Sequence, residues 1–360
     1  MCMVTLDDVF VVDAVSHAYN QAESNFRVPR YAEQVADIGV GLEDAMPEGY
    51  KRTPETFLSD WPVEYTEDVL FRESQTDFSV FHPQSITVFH DGLTSLEKAQ
   101  AFLERNPTRS AALGSIDAVG LDDPQGELTR QVEEFDPHGV KVYPSYWEES
   151  GTHHKFTMDD PEVAFPLWEH VADLGLDVVA VHKAMPFGAV PMDSYEVGDV
   201  EEAAASFPDL TFEIVHGGLT FARETGWQIA RFPNVYVNLE LTLAEAVTTP
   251  KTFAETMQDL LYAGGKRAID KIIWGTGAPH FHPQLLLERF WEFDFPEMES
   301  LSGSFTITQA DKRKILGENF AEAHGFDLEE LEAQTVDDEY SDAELVEEPW
   351  STTGFEVASP

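Results

Sequence analysis

Short apolar runs alternate with amphipathic stretches along most of the chain. Eight of the runs are β-rich: VFVVDAV (9–15), DFSVF (77–81), SAALGSID (110–117), GVKVYP (139–144), DVVAVH (177–182), TFEIVH (211–216), VYVNLEL (235–241) and KIIWGTG (271–277). Each is short, rich in Val, Ile, Phe or Tyr, and bounded by polar or turn-forming residues, which is how strands read. Between them, SLEKAQAFLERN, PEVAFPLWEHVADLG, DVEEAAASFP and PQLLLERFWEF carry apolar residues at helical spacing, with acids in several first turns. Strands alternating with helices predict βαβ units and a parallel sheet. Eight such units in roughly 280 residues predict an α/β fold of the (β/α)8 TIM-barrel type rather than an open sheet.

Two segments fall outside this rhythm. The stretch from Ala18 to Glu64, rich in Pro, Arg and acids, follows the first strand and is expected to fold over the barrel mouth. After Phe326 the chain has no Lys or Arg and contains DDEYSDAELVEEP. A helix over DLEELEAQ and then largely disordered chain is the expectation there. The domain reading is therefore one barrel over 1–326, with the insertion at 18–64, and an acidic tail over 327–360.

Composition sharpens this picture. With 360 residues and 42% apolar content, a single large core is affordable. Asp and Glu number 67 against 22 Lys and Arg, a net charge of −45, so nucleic acid and anionic membrane surfaces are excluded as partners. A carboxylate excess spread along the whole chain reads as a halophilic surface, in which salt screens the self-repulsion. The single cysteine, Cys2, leaves no intrachain disulfide and no thiol-based site. No basic region precedes the first apolar stretch and no run reaches the length of a membrane span, so a soluble, cytoplasmic protein is expected.

In a barrel, chemistry gathers at the C-terminal ends of the strands. There the chain offers Asp13 and His17 after the first strand, His82 after the second, and Lys141 and Tyr143 in the fourth. His182 and Lys183 end the fifth strand, His216-Gly217-Gly218 the sixth, Asn238 and Glu240 the seventh, and Gly277, His280 and His282 follow the eighth. Histidines at 17, 82, 90, 182, 216, 280 and 282 all fall at or past strand ends, and imidazoles converging on one rim suit a metal ion or acid–base work. A lone His at a strand end is more often structural; three strands delivering the same side chain make the stronger case, and these are His17, His182 and His216. Lys141 inside an apolar strand calls for a carboxylate partner or a substrate anion. Arg27 and Arg30 in the insertion are the expected partners of a substrate carboxylate, with surface ion pairs as the plainer alternative.

Several segments resemble the amidohydrolase-related group of the amidohydrolase superfamily, which includes aromatic and muconate-type decarboxylases and some lactone hydrolases: VVDAVSHAYN, GVKVYPSYW, FPLWEHVADLGLDVVAVHK, FPDLTFEIVHGG, RFPNVYVNLE, IIWGTGAPHFHPQ and KRKILGENFAEAHGF. The resemblance implies a divalent metal, usually zinc, held by an HxH pair on the first strand, a His on the fifth and an Asp on the eighth, with the sixth-strand His polarising substrate or water. Position by position, these become His17, His182 and His216, with His216 also a third metal ligand. Val15 stands where the first His is expected and Gly277 where the Asp is expected. The resemblance thus leaves Glu240 or His280 as the substitute base, and a metal-free site stays open because some lactone-hydrolysing relatives work without metal.

The function expected on these grounds is a metal-dependent decarboxylase, or hydrolase, acting on a small organic carboxylic acid. His216, Lys141, Glu240 and His280 are its catalytic candidates; Arg27, Arg30, Tyr143 and His82 are its substrate-binding candidates; a homo-oligomer is in keeping with relatives. The alternative is a catalytically altered barrel serving as a binding or assembly subunit.

Overall fold

A computed structural model describes residue 6 and residues 9–186, 188–217, 219–341 and 343–357, without the side chain of Tyr146. Eight strands form one all-parallel sheet in sequential order: β1 Val12–Ser16, β2 Phe78–Phe81, β3 Ser110–Ile116, β4 Gly139–Val142, β5 Val178–His182, β6 Thr211–Val215, β7 Val235–Asn238 and β8 Ile272–Ile273. β1 closes against the chain leaving β8. Ala14 N–H donates to the Trp274 carbonyl at 3.0 Å, Gly277 N–H to Val15 at 2.9 Å and His17 N–H to Ala278 at 2.7 Å. The result is the (β/α)8 barrel that the alternation of strands and helices predicts.

All eight predicted strands form, within a few residues of the expected bounds, because each is apolar on both faces and buried between barrel interior and helix layer. The four predicted helices occupy Leu96–Arg105, Ala164–Asp173, Val200–Ser206 and Pro283–Glu292. Ser95 caps the first of these by accepting from Lys98 N–H. Inside the barrel, Val12, Ala14, Phe78, Val80, Leu113, Ala180, Val215 and Ile273 pack with Phe320, Ala323 and Leu331 from the C-terminal helices, which plug the end opposite the strands' C-termini.

The segment after Phe326 departs from expectation. A helix forms at Leu328–Thr335, and described residues beyond it pack against the barrel and the insertion. Asp338 pairs with Arg109, Trp350 is buried at 2% exposure, and Phe355 packs edge-on against Trp61 and Tyr65. Two aromatic anchors in an otherwise acidic stretch supply the apolar area that charge counting overlooks. Both anchors seat on the insertion, whose helix Pro29–Asp44 and residues Tyr19, Phe57 and Trp61 form one apolar cluster with them.

Candidate active site

Strand ends bring six polar side chains into one buried cluster. His17 leaves β1 with Nδ1 on the His82 carbonyl at 2.8 Å and Nε2 on Glu240 Oε1 at 3.2 Å. The turn after β6 places His216 Nδ1 3.2 Å from the Glu240 carbonyl and 3.5 Å from Glu240 Oε2. His216 Nε2 meets His182 Nδ1 at 3.1 Å, and His182 Nε2 faces the Met185 carbonyl at 2.8 Å. The order is thus His17, Glu240, His216, His182: a chain of contacts rather than a ring around one centre. Lys141 lies within the barrel 5.6 Å from the Tyr143 ring, and Tyr143 stacks on His182 at 4.9 Å.

Glycine at 277 is what admits the carboxylate. Its φ is +71°, and a Cβ built there would stand 2.8 Å from Glu240 Oε1. The acid on β7 therefore occupies the space a side chain after β8 would take.

Burial sets the charge states. It pushes Lys141 down to about 8, opposed by the negative charges of Glu240 and Glu213. It pushes His216 down to about 4 and holds His182 and His82 well below the ordinary imidazole range. Burial alone would raise Glu240, but the surrounding His216, His17 and Lys141 overcome it and keep the carboxyl below its usual range. At neutral pH the cluster thus pairs an ionised carboxylate with a buried ammonium near its titration point. The His182–His216 pair adds a proton-counting constraint. Carbonyl oxygens lie at both of its ends, so three hydrogen bonds need three ring N–H groups, while two neutral rings carry only two.

The insertion covers the cluster. Tyr19 stacks on His17 at 5.1 Å, and Trp61 stacks on Tyr19 at 5.0 Å. His280 lies edge-on to Tyr19 and Phe57, with Nε2 buried and unpartnered, so it borders the cluster without bonding to it. His82 sits edge-on to His17 at 6.1 Å, and neither of its ring nitrogens has a partner.

The two predicted arginines do not join. Arg27 and Arg30 are exposed. Arg27 instead lines a separate cavity of about 470 Å³ with Ser85, His90 and Asp117, and Arg30 lies over the Tyr31 ring. The reason is local: both sit where the chain enters the helix Pro29–Asp44, on its solvent side. Within the insertion the buried arginine is Arg52, bidentate to Glu43 and donating to the carbonyls of Pro279 and His280, so it braces the segment after β8. No pattern in the sequence separates Arg52 from its exposed neighbours. His282 is likewise structural, bonded to Glu73 at 3.0 Å.

The expected metal ligands do not fit a metal. Among the described residues no group of three or more His, Cys, Asp or Glu side chains is arranged to hold an ion. His182 points at the far nitrogen of His216, so a centre near His216 Nδ1 excludes it. The departures at Val15 and Gly277 remove the two donors that would have completed a set.

The amidohydrolase family model matches residues 45–326, well over half of the chain. The protein belongs to the amidohydrolase family. The matched range starts beyond β1, so His17 takes its place in the site from geometry. Among solved structures, this amidohydrolase barrel is similar to an uncharacterised TIM-barrel protein from Bordetella bronchiseptica, at 19% identity over 91% of this chain and 99% of that one, with a TM-score of 0.60. It is also similar to 2,6-dihydroxybenzoate decarboxylase from Rhizobium, at 15% identity over 88% and 99%, TM-score 0.52. A third is 5-carboxyvanillate decarboxylase from Novosphingobium aromaticivorans, complexed with manganese and a hydroxy-methoxy-nitrobenzoic acid, at 12% identity over 90% and 98%, TM-score 0.51. At such identities the likeness concerns the fold. No curated protein matches the chain. Among the described residues no helix is long and apolar enough to cross a membrane.

Strand-end reading takes in Asn238 but overlooks Glu213, and both lie lower in the barrel. Glu213 and Asn238 are fully buried, and Glu213 interrupts an apolar strand as Lys141 does, a signal present in TFEIVH all along.

Proposed function

We propose that this amidohydrolase-family barrel is a carbon–carbon lyase that removes CO2 from a small, hydroxylated organic acid by proton transfer. The observation that carries the reading is the Glu240 carboxylate seated over Gly277 between His17 and His216, beside the buried Lys141. The decarboxylases among the fold's neighbours make the same reaction class reasonable. Loss of CO2 leaves an electron pair on carbon and requires one proton there, with no water nucleophile. Lys141, at about 8, holds a proton at neutral pH and sits close enough to that pH to release it, whereas burial keeps His216 and His182 neutral. In this scheme the carboxylate–carbon bond breaks, its electrons remain on carbon, and the Lys141 proton fills the position. Glu240 balances the ammonium and orients His17 and His216. Among the described residues a divalent metal, zinc or manganese, finds no ligand set, so no step is routed through one.

The test is CO2 release from a panel of hydroxybenzoates and unsaturated diacids, run on chelator-treated protein with its metal content measured. Turnover by metal-free protein, lost in Lys141→Met, is the expected result. Activity that returns only with added metal would overturn the metal-free scheme, and turnover of lactones alone would replace lyase with hydrolase. Absence of any turnover would favour a binding subunit.

A further inference from the structure

Below the cluster a second set of buried polar groups runs to the opposite end of the barrel. Asn238 Oδ1 faces the backbone N–H groups of both His216 and Glu240, at 3.4 and 3.2 Å. Its Nδ2 donates to Glu213 Oε1 at 2.5 Å, and Glu213 Oε2 meets His324 Nε2 at 2.7 Å. His324 ends the helix Asn319–His324, stacks on Phe320 at 4.3 Å, and is buried in the plug. That helix docks on β6 through Thr211 Oγ1, which donates to the Ala323 carbonyl at 3.0 Å.

The two backbones that Asn238 holds are not relaxed. His216 has a φ of +62° and Leu241, directly after Glu240, a φ of +60°. Left-handed conformations at non-glycine residues are strained and persist only where surroundings fix them. Gly217 allows the close approach: a Cβ there would lie 2.1 Å from Val237 Cγ2. One amide therefore ties the strained turns of β6 and β7 together from below, and is itself anchored by a carboxylate–imidazole pair.

We infer that Asn238, Glu213 and His324 are positioning residues, a support running through the barrel that fixes the spacing of His216 and Glu240. The inference rests on the assignment of His216 and Glu240 to the active site. Its mechanism is geometric: without Asn238 the two turns separate, and the 3.5 Å approach of His216 Nδ1 to Glu240 Oε2 is lost.

The experiment compares Asn238→Ala, Glu213→Ala and Glu213→Gln. Ring ¹⁵N spectra read the tautomer and hydrogen bonding of His216, and kinetics separate kcat from KM. Asn238→Ala and Glu213→Ala should shift the His216 ring signals and lower kcat about 10- to 100-fold with little change in KM, as misplacement does. Glu213→Gln should restore wild-type signals, because His324 Nδ1 has no partner and the ring can switch tautomer to accept from the new amide. Folded Asn238→Ala or Glu213→Ala protein with unaltered His216 signals would overturn the inference. If neither folds, His324→Ala gives the same reading, with shifted His216 signals expected and unaltered ones contrary. The spectra need no substrate, so a failure of the proposed chemistry leaves this test standing.

Discussion

Two buried carboxylates in this barrel each meet an imidazole, and they are built to opposite ends. Glu73 is saturated. Its Oε2 accepts from His282 Nε2 at 3.0 Å and Trp350 N–H at 2.6 Å, and its Oε1 from Thr352 N–H and Oγ1, both at 2.6 Å. Among the described residues Glu240 has only His17 Nε2 on Oε1 at 3.2 Å, while His216 Nδ1 stands 3.5 Å from Oε2, beyond good hydrogen-bond range. A carboxylate has roughly four acceptor positions. Glu73 fills them with His282 and the tail residues Trp350 and Thr352 and becomes a clamp; Glu240 keeps capacity in reserve beside an ammonium and becomes reactive.

Replacing each acid should break the comparison most sharply. Glu240→Gln should lower turnover by about 10²-fold, the cost of misorienting His17 and His216 beside an unbalanced Lys141 ammonium. Gly277→Ala should mimic it, since its Cβ would enter the space of Glu240 Oε1, at a φ that disfavours any side chain. A Gly277→Ala protein of normal activity would mean that Glu240 is not held where it must be. Glu73→Ala should do the reverse. Losing the acceptor of a buried ion-paired network costs about 3–5 kcal/mol. Denaturant titration should report that loss, and limited proteolysis should cut residues 343–357 faster.

How much of this contrast was legible beforehand follows from what sequence patterns encode. Strand order, barrel closure and the convergence of His17, His182, His216 and Glu240 come from periodicity and from the rule that strand ends share a rim. The pattern says nothing of direction, however. His182 and His216 were read as ligands around one ion, whereas they bond to each other. Arg27 and Arg30 are expected as substrate partners from their place in the insertion, yet both are exposed, and the insertion's buried arginine is Arg52. The tail was judged by its charge, and Trp350 and Phe355 outweighed it.

Lys141 sharpens the comparison from the stability side. Its folded value of about 8 lies below the ordinary 10.5, so between those pH values the unfolded chain binds more protons. Stability therefore rises with pH through that window, and at neutral pH the ammonium costs the fold about 3 kcal/mol. Lys141→Met should abolish turnover and yet raise stability at pH 7 by about 2–3 kcal/mol, the trade expected of a functional group. A variant that melts lower than wild type would show that Glu240 and Glu213 depend on the ammonium more than burial opposes it.

The smallest effect per residue is acid sensitivity, and it separates the ends of the barrel. Burial lowers His216 to about 4 and His138 and His280 to about 3. An unfolded imidazole takes up its proton near 6.5, so between that pH and the folded values the unfolded chain binds more protons and stability falls as pH falls. Each such histidine contributes at most about 1.4 kcal/mol per pH unit. Protonating the surface acids relieves repulsion only nearer pH 4, and although Asp13, Asp68 and Asp77, raised to about 7, 6 and 6, oppose the trend, the lowered histidines outnumber them from pH 6.5 to 4.5. Salt screens exposed charge far better than buried charge, so the slope should survive at high ionic strength. His138→Asn, beside the plug, and His280→Asn, beside the mouth, should flatten that slope alike, and only His280→Asn should also alter turnover. Equal effects of both on turnover would mean that the mouth has no special standing, and the reactive role given to Glu240 would have to be reconsidered.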